Sequence, residues 1–244
     1  LFLLLLLFFF ALGYGTLDVW WQFILSFVLM TSLIFVFFGR KAQELMGLRF
    51  TLKEALLALG VCLSFFVLSQ IAIVYSLPSG YELRSTYNIL DFVYNLFQTL
   101  NEEIVFRSLL TNFLLYLGFS RWKIVFVPAV LFSFGNWAMF HFNMNPFNRG
   151  ELSFATLLTL FFFSASMTMI FLRTRNVLIP WALHAAWDFN RFSLGIIKCE
   201  APDERVLEYL GFNLLEGSFL VLLLSFVLFL TSLRICFKSN FYGQ

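Results

Sequence analysis

In 244 residues the chain carries 36 phenylalanines, 61% hydrophobic residues and only 12% charged ones, with a net charge of +2. That is about half the usual charge and more apolar surface than one soluble core buries, so the chain reads as an integral membrane protein. Its basic residues are dispersed near segment ends and form no stripe, which excludes nucleic acid as a partner.

A window of about 20 residues, the length that crosses a bilayer's hydrocarbon core, predicts spans near 1–13, 19–38, 55–77, 89–118, 123–143, 153–172, 177–196 and 212–233. The expected fold is all-α, a polytopic bundle of about eight transmembrane helices forming one domain over 1–244. The first run starts at Leu1 without a basic leader, and reads as a truncated helix or a piece of a longer chain rather than a cleaved signal peptide. The stretch 89–118 is longer than a span needs, so its first residues are expected to form an interfacial segment ahead of the helix proper. Pro78-Ser79-Gly80, Asn145-Pro146 and Gly211 punctuate the connections. Neither an internal repeat nor a linker divides the chain. Cys62, Cys199 and Cys236 are widely spaced, with no CxxC pair, and read as inert thiols.

Orientation follows from lysine and arginine. With eight spans, one side carries Arg40, Lys41, Arg49, Lys53, Arg121, Lys123, Arg173, Arg175, Arg234 and Lys238; the other carries Arg84, Arg149, Arg191, Lys198 and Arg205. The bias places both termini in the cytoplasm. The compact chain without long soluble loops points to a prokaryotic inner membrane.

Three places carry chemistry. In Glu102-Glu103-Ile104-Val105-Phe106-Arg107, two carboxylates and an arginine interrupt an apolar chain, and a charge near the bilayer centre costs on the order of 3 kcal/mol. Glu103 and Arg107 are four apart and neighbours on one helical face, so they can form a neutralised pair. Glu102 points about 100° away, and no second cation in the segment accounts for it. The chain's only histidines, His141 and His184, each lie within an apolar span, and Asp188 shares a face with His184. A lone histidine on such a face is more often a satisfied core residue than a catalyst. Three polar clusters on separate helices are tolerable together if they meet in one protein-lined or water-lined site, and they are expected to converge.

Glu-Glu-x-x-x-Arg on one helix, an aromatic residue four before a histidine on the next, and His184-x-x-x-Asp188 on a later one resemble the CAAX-protease and bacteriocin-processing family of intramembrane glutamic proteases, also called Abi or Rce1-like. The similarity runs from about 102 to 190, within a core of about 89–196, and the segment Arg173 to Asp188 resembles the family's run into its last motif. The second motif, F-x-x-x-H in the family, has two alignments here. Phe132 to Asn136 lies at the usual distance from the glutamates but ends in asparagine. Trp137 to His141 supplies the histidine, five residues on and about 140° around a helix. His141 is preferred, being one of two histidines and preceding a polar turn; Asn136 would leave a weakened or inactive relative.

The resemblance implies a protease without cofactor or metal, acting on a membrane-associated peptide or protein at the lipid bilayer. Glu102 would be the general base on a water shared with His141. Arg107 would hold Glu103 ionised, and His184, helped by Asp188, would meet the oxyanion. Three rival readings stand beside it. A zinc hydrolase could use the two histidines and a glutamate, though HExxH is absent; a proton or solute carrier would usually show repeated halves; and an inactive scaffold of the same fold would follow from Asn136.

Overall fold

A computed structural model describes residues 19–48, 51–76, 81–83, 89–142, 151–190, 196–198 and 216–238. The predicted span at 1–13, Cys199 and the acidic loop from Glu200 to Glu208 lie outside these residues. In chain order the elements are α1 (Val19–Phe38), a single tight turn (Gly39–Lys41), α2 (Ala42–Met46), α3 (Leu52–Ser76), β1 (Tyr81–Leu83) and α4 (Ile89–Glu103). A π-helical segment (Ile104–Leu110) then leads into α5 (Thr111–Tyr116), followed by α6 (Arg121–His141), α7 (Phe154–Thr174), α8 (Leu178–Asp188), β2 (Ile196–Lys198) and α9 (Phe219–Lys238). Among the described residues the protein is a helical bundle with one small exception. β1 pairs antiparallel with β2, Tyr81 opposite Lys198 and Leu83 opposite Ile196, so a two-stranded ribbon joins the approach to α4 with the exit from α8.

Four helices among the described residues are long and apolar enough to cross a membrane: Leu52–Tyr75, Arg121–His141, Phe154–Thr174 and Phe219–Cys236. They fall where hydropathy predicts them, and the protein is an integral membrane protein. The count of eight is not confirmed. The stretch 89–118 is a helical run in which α4, the π-helical segment and α5 follow without a break, and 177–196 holds α8; neither is among the four. Hydropathy reads composition, and an apolar segment buried among other helices scores like one that faces lipid. The lipid-facing kind is visible on α3, where Leu52, Leu56, Leu59, Leu63, Val67, Ile71 and Val74 are all exposed at helical spacing. In water such a stripe would be a large apolar patch; in hydrocarbon it needs no cover.

The core centres on α7, which lies between α6 and α9 and fully buries Met167 and Met169. On one side Ile104, Val105, Ile124, Ala129 and Ala165 form a cluster; on the other, Phe65, Ile73, Phe163, Leu183 and Trp187 form a second. Local signals fix the helix starts. Thr51 and Glu54 make a reciprocal cap on α3, with Glu54 N donating to Thr51 Oγ1 at 3.2 Å and Thr51 N donating to Glu54 Oε2 at 3.2 Å. Ser153 accepts from Thr156 N at 3.1 Å at the head of α7.

One glycine locks α2 to the α7–α8 turn. Gly47 takes a φ of 64°, and a Cβ there would meet Phe171 at 2.9 Å. Its carbonyl accepts Val177 N at 3.0 Å. Asn176 Oδ1 then accepts Leu178 N at 2.8 Å and starts α8. Nearby, Arg175 donates to Asn112 Oδ1 at 3.4 Å and Asn112 donates to Leu45 O at 2.9 Å. Arg40 and Lys41, in the turn leading into α2, therefore belong to the same end of the bundle as Arg175.

Candidate active site

The site begins with a change of helical pitch. From Ile104 to Leu110 the helix widens to π geometry, and all seven residues of the segment are buried. Thr111 Oγ1 donates to Phe106 O at 3.0 Å, five residues back, where the wider turn leaves that carbonyl in reach. Such turns re-aim side chains and are common at functional sites. Here the widening follows directly on the two glutamates, and Arg107 falls within it.

Glu103 and Arg107 are both 0% exposed, with Arg107 Nε 3.1 Å from Glu103 Oε2. The second oxygen of Glu103 lies 2.7 Å from His184 Nδ1. A carboxylate held ionised by an arginine can only accept, so His184 donates from Nδ1 and its Nε2 is turned to the other side. On that side stand Glu102 Oε2 at 3.9 Å and Asp188 Oδ2 at 3.8 Å. Both distances exceed a direct hydrogen bond. Glu102, Glu103, Arg107, His184 and Asp188 are thus brought together from two stretches of chain 81 residues apart.

Packing holds the imidazole in this pose. Phe132 of α6 and Phe163 of α7 both present their rings to His184 at 5.9 Å and 77°, edge to face. Phe132 also lies 5.1 Å from the Arg107 guanidinium and 5.4 Å from Phe106. α8 is fixed at both ends of its working turn. Trp181 Nε1 donates to Leu96 O at 2.9 Å and to Thr99 Oγ1 at 3.1 Å on α4. Beyond Asp188, Asn190 donates to Phe66 O at 3.0 Å and to Ser69 Oγ, and accepts from Gln70 Nε2, all on α3. His184 and Asp188 lie between these anchors.

Sequence reasoning missed two polar residues of the cluster. Gln98 Nε2 donates to Glu102 Oε1 at 3.3 Å, and Arg107 Nη2 donates to Ser164 Oγ at 3.2 Å. Gln98 was findable, being four residues before Glu102 on the same face. Ser164, one hydroxyl in the apolar α7, carried no such signal.

The two candidates for the second motif part company. His141 is exposed at the end of α6, its ring stacked on Trp137 at 4.8 Å and edge-on to Phe142 at 5.0 Å. Asn136 is half-buried and donates to Phe132 O at 2.9 Å. Phe132 marks the helix face that meets His184. Asn136, four residues on, stays within about 40° of that face, while His141, nine residues on, is rotated about 180° from it. A histidine count says nothing about helix phase, and phase puts Asn136 on the side of the cluster and His141 on the opposite side.

Cys62 is half-buried and Cys236 buried, both as free thiols. Against known families, residues 85–190 match the model of the type II CAAX prenyl endopeptidase Rce1-like family, a family of proteases. No curated protein and no solved structure matched the chain. The matched stretch runs from just before α4 to the Asn190 anchor of α8 and contains every residue of the cluster. Over residues 85–190 the chain is therefore similar to the Rce1-like family, the one its glutamate and histidine motifs resemble.

Proposed function

We propose that the chain is an intramembrane endopeptidase that uses Glu102 and His184 to hydrolyse a peptide bond of a membrane-associated peptide or protein. The observation that carries this reading is the convergence of Glu102, His184 and Asp188 around His184 Nε2, with Glu103 and Arg107 fixing the ring from behind. A separation of 3.8 to 3.9 Å suits a water held between Nε2 and the carboxylates. Glu102 takes a proton from that water as its oxygen attacks the scissile carbonyl carbon. His184 Nε2–H meets the oxyanion. As the C–N bond breaks, the proton on Glu102 passes to the leaving amine, and the products are a carboxylic acid and an amine without a covalent intermediate. Asp188 favours the protonated imidazole through charge.

The residues that would serve on α6 differ from the family motif, and this supports a second reading. Asn136 can orient a water but cannot take its proton, so a non-catalytic or weakened protein of the same fold is the runner-up. A prokaryotic inner membrane with both termini cytoplasmic completes the proposal, supported by the basic end that gathers Arg40, Lys41 and Arg175. The test is a farnesylated CAAX-type peptide in proteoliposomes, with products identified by mass. Cleavage by the wild-type chain and at least 1000-fold less by Glu102→Gln, on the order expected for a general base, supports the enzyme; no cleavage by either supports the scaffold.

A further inference from the structure

Asn95 is 1% exposed, yet among the described residues neither its amide nitrogen nor its amide oxygen has a hydrogen-bond partner. One turn on, Gln98 donates to Glu102 while its own buried oxygen is without a hydrogen-bond partner among those residues. Asn95, Gln98 and Glu102 are spaced at i, i+3 and i+7, and so form one polar stripe along α4 that ends at the proposed base. An unpaired buried amide lowers stability in a way that a leucine of similar size would not. Native proteins leave few such groups, and each one needs a cause. The Trp181 bonds that fix α8 fall on the neighbouring face of α4, at Leu96 and Thr99.

We propose that Asn95 is a substrate-binding residue that pairs with the backbone of an extended peptide lying along α4, with Gln98 between it and the scissile bond. A primary amide offers donors and an acceptor in one plane, the complement of a peptide group's C=O and N–H. Neither an apolar tail nor a phosphate uses both halves. Seven residues of helix rise about 10 Å, and three residues of extended chain cover about 10 Å. The peptide group that meets Asn95 is therefore about three residues from the carbonyl at Glu102. Recognition of this kind reads backbone and ignores side-chain identity at that position.

The proposal rests on the protease reading, and the test separates the two. The probes are the farnesylated CAAX-type fluorogenic peptide and a set in which each backbone N–H is replaced in turn by an ester oxygen. In the wild-type chain, one ester position is expected to raise KM about tenfold. Asn95→Leu should raise KM by a similar factor with kcat within twofold and thermal stability unchanged or higher, and that ester should cost Asn95→Leu nothing further. A fall in stability with KM unchanged would make Asn95 a structural residue. A fall in kcat alone would make the stripe a supply line for water, and equal ester losses in both chains would mean distortion at a distance; each overturns the proposal. If the wild-type chain does not cleave, the protease reading fails, and the same comparison is made by fluorescence anisotropy of peptide binding. Equal binding by wild type and Asn95→Leu, or none by either, then overturns the subsite.

Discussion

The chain's two histidines occupy regions built on opposite terms. His184 lies in a short buried helix, its Nδ1 fixed by Glu103, two phenylalanine rings against its faces and two more carboxylates within 4 Å of Nε2. His141 ends a long, lipid-length helix and is exposed, its ring resting among the described residues on Trp137 and Phe142. A polar side chain in hydrocarbon is held in place by what it is paired with, and only the first region supplies pairs. The difference teaches that a titratable residue in a predicted span becomes chemistry through the helices that meet it. Its presence in an apolar run decides little.

The largest effect that sharpens this contrast should come from the ion pair behind His184. Arg107→Ala leaves Glu103 buried without its arginine and with only His184 beside it, at about 3 to 5 kcal/mol, and should sharply reduce folded protein on a detergent-exchange or thermal-aggregation assay. Replacing both partners, Glu103→Gln with Arg107→Met, should restore much of the yield but not the cleavage. Full yield from Arg107→Ala alone would mean that the pair is not what holds the π-helical turn.

A smaller, opposite effect is expected on α6. Asn136→His places a proton acceptor on the face that Phe132 presents to the cluster, and should raise the cleavage rate about tenfold, at the low end for an added general base. An unchanged rate would place Asn136 out of reach of the water. Smallest of all is metal removal: exhaustive chelation should change the rate less than twofold, because Glu102 and His184 act on water directly. Loss of activity on chelation and recovery with zinc would replace general-base chemistry by a metal-bound water.

Much of this architecture was legible before any coordinates. Apolar runs marked the four crossing helices to within several residues, since hydropathy directly reports the preference for lipid. The pairing of Glu103 with Arg107 followed from spacing alone. The π-helical widening at Ile104–Leu110 was not legible, because no residue there breaks an α-helical pattern; it is set by tertiary packing. The ribbon between Tyr81–Leu83 and Ile196–Lys198 is a pairing across more than a hundred residues, which local sequence does not encode. The choice between Asn136 and His141 turned on the phase of one helix relative to its neighbours, and a motif read as a string carries no phase. Gln98 and Asn95 shared the face of Glu102 in the sequence itself, hidden only because amides in a membrane helix attract less notice than charges.

The most direct test sets the two histidines against each other. His184→Ala and His141→Ala are reconstituted at matched levels in proteoliposomes, and the initial rate of cleavage of the farnesylated CAAX-type peptide is measured for each. The account predicts that His184→Ala loses at least about 100-fold, while His141→Ala stays within twofold of the wild-type chain. A His141→Ala protein that inserts normally and is inactive, beside a His184→Ala protein that still cleaves, would contradict it.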